Sequence, residues 1–215
     1  MVKEKLARLS LFFLYLFISW GAYRFLTDFN EVGDELFFKP LIWLLPVLWL
    51  VIKKEKRSLI SLGLVFKRPS RKVLLGLGVS LLILAEYLLA SWLKGEKIVF
   101  NPRQLNWFAW PVFSIVCLST SLVEETVFRG FFMTRIDELI NSQLAANIIA
   151  GSLFFMIHLP ILVFRQGENL AGLMENFVLF GSLALIDGYI FWRTKGILAP
   201  ISAHFFLNFF SLLIG

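Results

Sequence analysis

Long apolar runs, interrupted by few charged residues, dominate the chain. A transmembrane helix needs about 20 mostly apolar residues. Seven candidates lie near residues 9–26, 40–53, 73–93, 107–130, 145–165, 173–192 and 196–214. The second is short, so we expect it to be tilted or incomplete. The pattern predicts an all-α fold, a polytopic transmembrane bundle of about seven spans, with six and eight as alternatives.

The composition supports this class of protein. Of the 215 residues, 58% are hydrophobic and 17% are charged, and the mean hydropathy is +0.77. Soluble domains average about a quarter charged residues. We therefore expect one membrane domain over residues 1–215, a multi-pass protein whose surroundings are the lipid bilayer.

The basic residues indicate an orientation in the membrane. The net charge is +6, but the cations sit in short loops beside apolar runs, which is typical of topology setting and lipid contact. We expect no nucleic-acid partner. The loop after the second run is basic, and the loop before it is acidic. The N-terminus is therefore predicted to be cytoplasmic.

Several ionisable side chains fall inside the apolar runs, where such groups are costly and usually functional. With one strong polar group, Asn208, they are Glu86, Glu124, Glu125, Arg129, His158, Asp187 and His204. The chain has two histidines, and both lie in predicted spans. Because each buried polar group needs a partner, we expect the histidines and the glutamate pair to meet. For Glu86 and Asp187 we expect structural bonds to a tyrosine, the backbone or the interface.

Helical geometry separates the two glutamates. Adjacent residues point about 100° apart, so Glu124 and Glu125 are not expected to face the same partner. Glu125 and Arg129 are four apart in the order that favours an ion pair. Glu124 has no cation four residues away on its own helix. Glu124 is therefore predicted to be the freer carboxylate and the one that performs chemistry.

Two further pairs of residues are each predicted to lie on one face of a helix. His204 and Asn208 are four apart, and Phe154 precedes His158 by four, so Phe154 should pack over the same side. Glu124 lies about 9 Å, and His204 about 12 Å, from the inner ends of their predicted spans. These depths predict a site in the cytoplasmic half of the membrane that faces the cytoplasm.

This set of side chains suits hydrolysis by an activated water molecule. A carboxylate near an imidazole can act as general base, and a histidine with an asparagine can stabilise an oxyanion. Zinc held by Glu124, His158 and His204 is the alternative. No H-E-x-x-H helix occurs, and we favour no cofactor.

Three motifs resemble those of a known family. "EETVFR" fits EExxxR through Glu124, Glu125 and Arg129, "FFMIH" fits FxxxH, and "HFFLN" fits HxxxN. In this order they resemble the CAAX protease and bacteriocin-processing family, also called Abi, whose eukaryotic relative is the Ras and a-factor converting enzyme. The resemblance covers about 107–214, which we take as the catalytic core.

The resemblance implies roles for the matching residues. Glu124 and His158 would activate the water, and His204 and Asn208 would form the oxyanion hole. Glu125 and Arg129 would support the site. The implied activity is that of a glutamate-dependent endopeptidase of CAAX prenyl type in a bacterial plasma membrane.

The implied substrate is a membrane-associated peptide or protein, either prenylated or leader-bearing. The alternative is a non-proteolytic scaffold that binds a partner membrane protein. A transporter should show internal symmetry, and the sequence shows none.

Overall fold

The computed structural model describes residues 2–27, 29–95 and 109–212, which form helices and no strand. We number the seven main helices in chain order. They are α1 Val2–Leu26, α2 Glu31–Lys54, α3 Pro69–Leu93, α4 Trp110–Ile140, α5 Gln143–Phe164, α6 Leu170–Thr194 and α7 Leu198–Ser211. A short 3₁₀ turn, Leu59–Leu62, lies between α2 and α3.

The first six helices are long and apolar enough to cross a membrane. α7 has only 14 residues, fewer than the roughly 20 that a span needs. The all-α, polytopic bundle predicted from the sequence is confirmed. Residues 107–108 and 213–214, at the ends of two predicted spans, lie outside the described residues.

The expectation that the second span would be short or incomplete is wrong. α2 has 24 residues and begins nine positions before the predicted start, in polar sequence. Its polar first turns are stable because their charges find partners: Asp34 contacts Tyr23 and Arg24, and Lys39 binds two glutamates. Wider π-helical turns on either side of Pro40 accommodate a residue that has no N–H to donate.

α4 also departs from its predicted span, because it continues ten residues beyond position 130. It is α-helical as far as Glu125 and becomes π-helical over Thr126–Met133. Every residue of the π-helical part is buried. Gly130 permits close packing there, since a Cβ atom at this position would lie 2.7 Å from the carbonyl oxygen of Leu62.

α7 is held in place by a close contact with α3. A Cβ atom on Gly76 would lie 2.5 Å from Cβ of Ser202, so the two helices approach almost backbone to backbone. Ser80 donates a hydrogen bond of 2.6 Å to the carbonyl of Ala203. This contact fixes the rotation of α7, and His204, the next residue, points into the bundle.

Candidate active site

Two adjacent carboxylates end the α-helical part of α4. Glu124 is 3% exposed and Glu125 is fully buried. The π-helical turn follows directly, a feature that often marks functional sites in helices. The two carboxylates are the centre around which the other predicted residues are arranged.

His204 lies between the two glutamates. Its Nδ1–H donates to Oε1 of Glu125 at 2.9 Å, and its Nε2 is 3.7 Å from Oε2 of Glu124. The prediction that the two glutamates face different partners is therefore wrong. The two nitrogens of one imidazole ring point in different directions, so side chains about 100° apart on a helix can each approach one of them.

The predicted pair of Glu125 and Arg129 is confirmed. Nη1 of Arg129 lies 2.9 Å from Oε1 of Glu125. Nη2 of Arg129 donates to the carbonyl of Ala184 at 3.2 Å, and the guanidinium lies 4.9 Å from the ring centre of Phe154. One buried arginine thus links α4 with α5 and α6.

Asp187 belongs to the same cluster, against expectation. The predicted bond to a tyrosine, the backbone or the interface is wrong, because neither carboxylate oxygen has a hydrogen-bond partner among the described residues. Asp187 is fully buried, and Oδ2 lies 3.7 Å from Nη2 of Arg129. Arg129 therefore faces two carboxylates but is hydrogen-bonded to only one.

Lys39 of α2 is a site residue that the sequence analysis missed. Its Nζ donates to Oε1 of Glu124 at 2.8 Å and to both oxygens of Glu35 at 2.8 and 2.6 Å. The ring centres of Trp20 and Trp43 lie 5.6 and 5.3 Å from Nζ. Glu124 is therefore not the free carboxylate predicted from its own helix, since its cation comes from another helix.

One sequence signal could have identified this lysine. Glu35 and Lys39 are four apart, in the order that favours an ion pair, and they directly precede an apolar run. The sequence analysis started the second span at residue 40, which placed Lys39 just outside the membrane. Thr120 completes the network by donating to Glu35 at 2.7 Å.

His158 lies beside the cluster with one ring nitrogen uncommitted. Its Nδ1–H donates to the carbonyl of Phe154 at 2.7 Å, and its ring stacks on Phe180 at 5.0 Å between centres. The ring of Phe154 lies 4.9 Å from His158 and 6.3 Å from His204, as predicted. No described residue bridges His158 and Glu124, although the two interact electrostatically.

Asn208 and Glu86 complete the predicted set. Asn208 is half-buried one turn beyond His204 on α7, and its side-chain amide bonds no described residue. Glu86 is exposed on α3 and has neither a hydrogen bond nor an ion pair within the described ranges. The structure therefore leaves Glu86 outside the cluster.

The cluster is enclosed most tightly on the side where the basic loops lie. There Phe128, Phe131 and Phe132 are completely buried. Towards the opposite end of the bundle Glu35, Thr120 and Asn208 are half-buried. The predicted depth of Glu124, about 9 Å from the inner end of its span, assumed that the span ends near residue 130. α4 instead ends at Ile140, 16 residues after Glu124, so this predicted depth does not apply. A cytoplasm-facing site stays a prediction.

Two sets of side chains in the cluster resemble metal ligands. Glu125, Asp187 and His204 have ligand atoms within 4.8 Å of one another, but the guanidinium of Arg129 already lies against both carboxylates. In the predicted zinc set, Oε1 of Glu124 accepts from the Lys39 ammonium. In both sets a protein cation lies where a metal would otherwise balance the carboxylates.

Fold and cluster together define a multi-pass membrane protein with a buried glutamate and histidine site. Residues 106–210, about half of the chain, match the family model for type II CAAX prenyl endopeptidase Rce1-like proteins. The chain therefore belongs to the CAAX protease family, as its three motifs predicted, and this family consists of membrane proteases that act on peptide or protein substrates. The search of curated proteins found no match, and neither did the search of solved structures.

Proposed function

We propose that the protein is an intramembrane endopeptidase that cleaves a membrane-associated peptide or protein with a water molecule activated by Glu124 and His158. The observation that supports this most strongly is the pairing of Glu124 and Glu125 with the two nitrogens of His204. Three motifs, distant in sequence, supply charged and titratable groups to one buried position. Structural roles alone would not require so many ionisable groups at one place in a membrane.

Water activation is assigned to Glu124 and His158. The Nδ1–H of His158 is engaged by a backbone carbonyl, so the uncharged ring presents Nε2 as an acceptor. A water molecule held between this nitrogen and Glu124 would attack the substrate carbonyl carbon. The carboxylate of Glu124 takes the proton of the water and returns it to the amine that leaves as the C–N bond breaks.

Stabilisation of the tetrahedral oxyanion is assigned to His204 and Asn208. The Nδ1–H of His204 is committed to Glu125, so its Nε2 can donate to an oxyanion only when the ring carries both protons. The Asn208 amide lies on the same helix face, has no hydrogen-bond partner among the described residues, and supplies a second donor. Two such donors at a developing charge typically contribute most of the electrostatic catalysis.

The supporting charges favour a mechanism without a metal. Lys39 holds one oxygen of Glu124, and Arg129 holds one oxygen of Glu125. These cations hold both carboxylates in place and balance their charge, which is part of what a metal ion would otherwise do. If zinc binds, Glu124, His158 and His204 are the ligands that we expect to hold it.

The family membership supports a proposal for the substrate and for the membrane. A CAAX prenyl endopeptidase acts near a lipidated cysteine, so we propose a prenylated or leader-bearing substrate. We place the protein in a bacterial plasma membrane with a cytoplasmic N-terminus. The basic loops at one end of the bundle support this orientation.

Reporter peptides test the proposal directly. The purified protein in phospholipid nanodiscs is incubated with peptides that end in a CAAX sequence, with and without a farnesyl group, and products are measured by mass spectrometry. We expect cleavage of the farnesylated peptide after the modified cysteine by the wild type, and at least 100-fold less by Glu124→Gln. Equal cleavage by both proteins would reject the assignment of Glu124.

A further inference from the structure

A strongly basic cavity lies at the end of the bundle where α3 begins and α6 ends. Its volume is about 570 Å³, and none of its lining residues is acidic. Apart from Val65, Leu75 and Thr194, the lining consists of six cationic side chains. These are Lys67, Arg68, Arg71, Lys72, Arg193 and Lys195.

The charges of this basic cavity are not balanced by the protein. Among the described residues, none of the six cations forms an ion pair, and Lys72 is the one with a hydrogen bond, 3.0 Å to the carbonyl of Val65. The other five are exposed. A Cβ atom on Gly196 would lie 2.7 Å from Nζ of Lys72, so the glycine leaves room for this ammonium group.

A second cavity at the same end of the bundle is lined by acidic as well as basic side chains. Its volume is about 240 Å³, and besides five cations it is lined by Glu55 and Glu138. Arg135 pairs with Glu55 at 2.7 Å, and Arg57 pairs with Glu138 at 2.5 Å. The hydrogen bonds that Arg57 donates to Glu138 raise the pKa of Arg57. Two of the five cations in this second cavity are thus paired with carboxylates, whereas none of the six in the basic cavity is paired with a described residue.

An apolar groove continues from the basic cavity along the outside of α7. Val65 lines both the basic cavity and an adjoining hollow of about 190 Å³. That hollow shares Leu118, Leu198 and Ile201 with a further one of about 360 Å³. The groove contains none of the residues of the glutamate and histidine cluster, so it is a separate site.

We propose that the basic cavity and the apolar groove together bind one anionic phospholipid. The phosphate lies among the six cations, where the N-terminus of α3 adds a favourable dipole, and one acyl chain lies along the groove. Basic residues clustered beside a membrane are attracted to the headgroups of anionic lipids. This inference does not depend on the proposed proteolytic function.

Bound in this way, the lipid joins three segments that position the candidate site. The cations come from the segment before α3, the first turn of α3 and the last residues of α6. Both helices pack against α7, which carries His204. We therefore expect the lipid to stabilise the bundle as well as bind to it.

Lipid retention measured by native mass spectrometry tests the proposal. The full-length protein is delipidated and titrated with dioleoyl phosphatidylglycerol or dioleoyl phosphatidylcholine. Lys67→Gln, Arg71→Gln and Arg193→Gln are combined in one variant. The control variant combines Lys5→Gln, Arg8→Gln and Lys54→Gln, which remove the same charge from exposed residues of the second cavity.

We expect one phosphatidylglycerol molecule to be retained, with an affinity about 100-fold lower in the first variant. The control variant should stay within threefold of the wild type. Equal losses in the two variants, or equal retention of phosphatidylcholine, would overturn the proposal. If the first variant does not fold, Arg193→Gln alone is expected to weaken binding about fivefold, and no loss in this variant would overturn the proposal too.

The same experiment distinguishes a site for a phospholipid from a site for a free phosphate ion. Inorganic phosphate and dihexanoyl phosphatidylglycerol are offered as competitors for the bound lipid. Because the long acyl chain contributes through the groove, we expect both to displace it only at concentrations at least 100-fold higher. Displacement at equal concentration would show an anion site that does not recognise a lipid.

Discussion

Nζ of Lys39 lies 2.8 Å from Oε1 of Glu124, although the two residues are 85 positions apart in the chain. Glu124 lies within the segment that matches the family, and Lys39 lies outside it. The N-terminal half of the bundle therefore contributes a charge to the candidate site. A buried carboxylate that accepts from an ammonium group of another helix is fixed in position.

Replacement of Lys39 tests whether this contact positions Glu124 for the reaction. Lys39→Met removes the ammonium group from the buried Glu124 and the half-buried Glu35. We expect kcat to fall about 100-fold as Glu124 moves, while KM changes little. Lys39→Arg keeps the charge and should retain most of the activity. Both values are measured with the farnesylated reporter peptide.

A second substitution separates positioning from stability. Glu35→Gln in the Lys39→Met background removes one unpaired carboxylate, so the melting temperature should recover in part while kcat stays low. If Lys39→Met and Lys39→Arg had equal kcat values, the positioning role of Lys39 would be rejected.

Glu125 and Asp187 are expected to differ in their contribution to stability. Oε1 of Glu125 accepts from both Arg129 and His204, whereas Asp187 accepts no hydrogen bond from any described residue. Glu125→Gln should therefore lower the free energy of unfolding by about 3 kcal/mol. Asp187→Asn should change it by less than about 1 kcal/mol. Denaturant titration in detergent micelles measures both values, and a larger loss for Asp187→Asn would contradict this account of the cluster.

His158 is expected to matter for activity and not for folding. Among the described residues its single hydrogen bond is to the carbonyl four residues earlier on α5, so His158→Gln should melt close to the wild-type temperature. Loss of the imidazole that holds the attacking water beside Glu124 should nevertheless reduce kcat by 100-fold or more. Ser152 also bonds the carbonyl four residues before it on α5, so Ser152→Ala is the control. Similar kcat values for both variants would remove His158 from the mechanism.

Metal removal tests the role given to the protein's own cations. We expect cleavage to persist after dialysis against a strong chelator, because Lys39 and Arg129 already neutralise the two glutamates. The metal content of the active protein is measured by mass spectrometry in parallel. Loss of activity that zinc restores would instead support the ligand set of Glu124, His158 and His204.

Labelling of introduced cysteines tests the orientation. The native Cys117 is buried, so a membrane-impermeant maleimide should report only on introduced residues. Glu31→Cys, at the start of α2, should react in intact cells, and Lys67→Cys should react only after the cells are opened. The reverse result would place the N-terminus outside the cytoplasm.

The number and position of the helices were largely predictable from hydropathy, and the errors were local. The start of α2 was missed because Asp34 and Lys39 are stabilised by ion pairs with residues on other helices. The hydropathy of a sequence segment does not reveal such pairs. The continuation of α4 past residue 130 was missed for a related reason. Its polar residues are stabilised by contacts with the loop before α3, such as that between Arg135 and Glu55.

The candidate site was predicted as a set of residues but not as a set of contacts. Helical spacing correctly paired Glu125 with Arg129 and Phe154 with His158. It could not show that His204 contacts both glutamates or that Asp187 faces Arg129, because such contacts depend on how helices rotate against one another. Lys39 was missed because a lysine at the edge of an apolar run is usually an interfacial residue.

The most direct measurement of the central claim compares peptide termini in membranes from cells that express the wild type, Glu124→Gln or Glu86→Gln at matched levels. Glu86 is exposed on α3, so its variant carries the same chemical change away from the site. We predict that specific new termini appear with the wild type and with Glu86→Gln and vanish with Glu124→Gln. The same termini in all three membranes, or in none, would contradict proteolysis by Glu124 and favour a scaffold that binds a partner membrane protein.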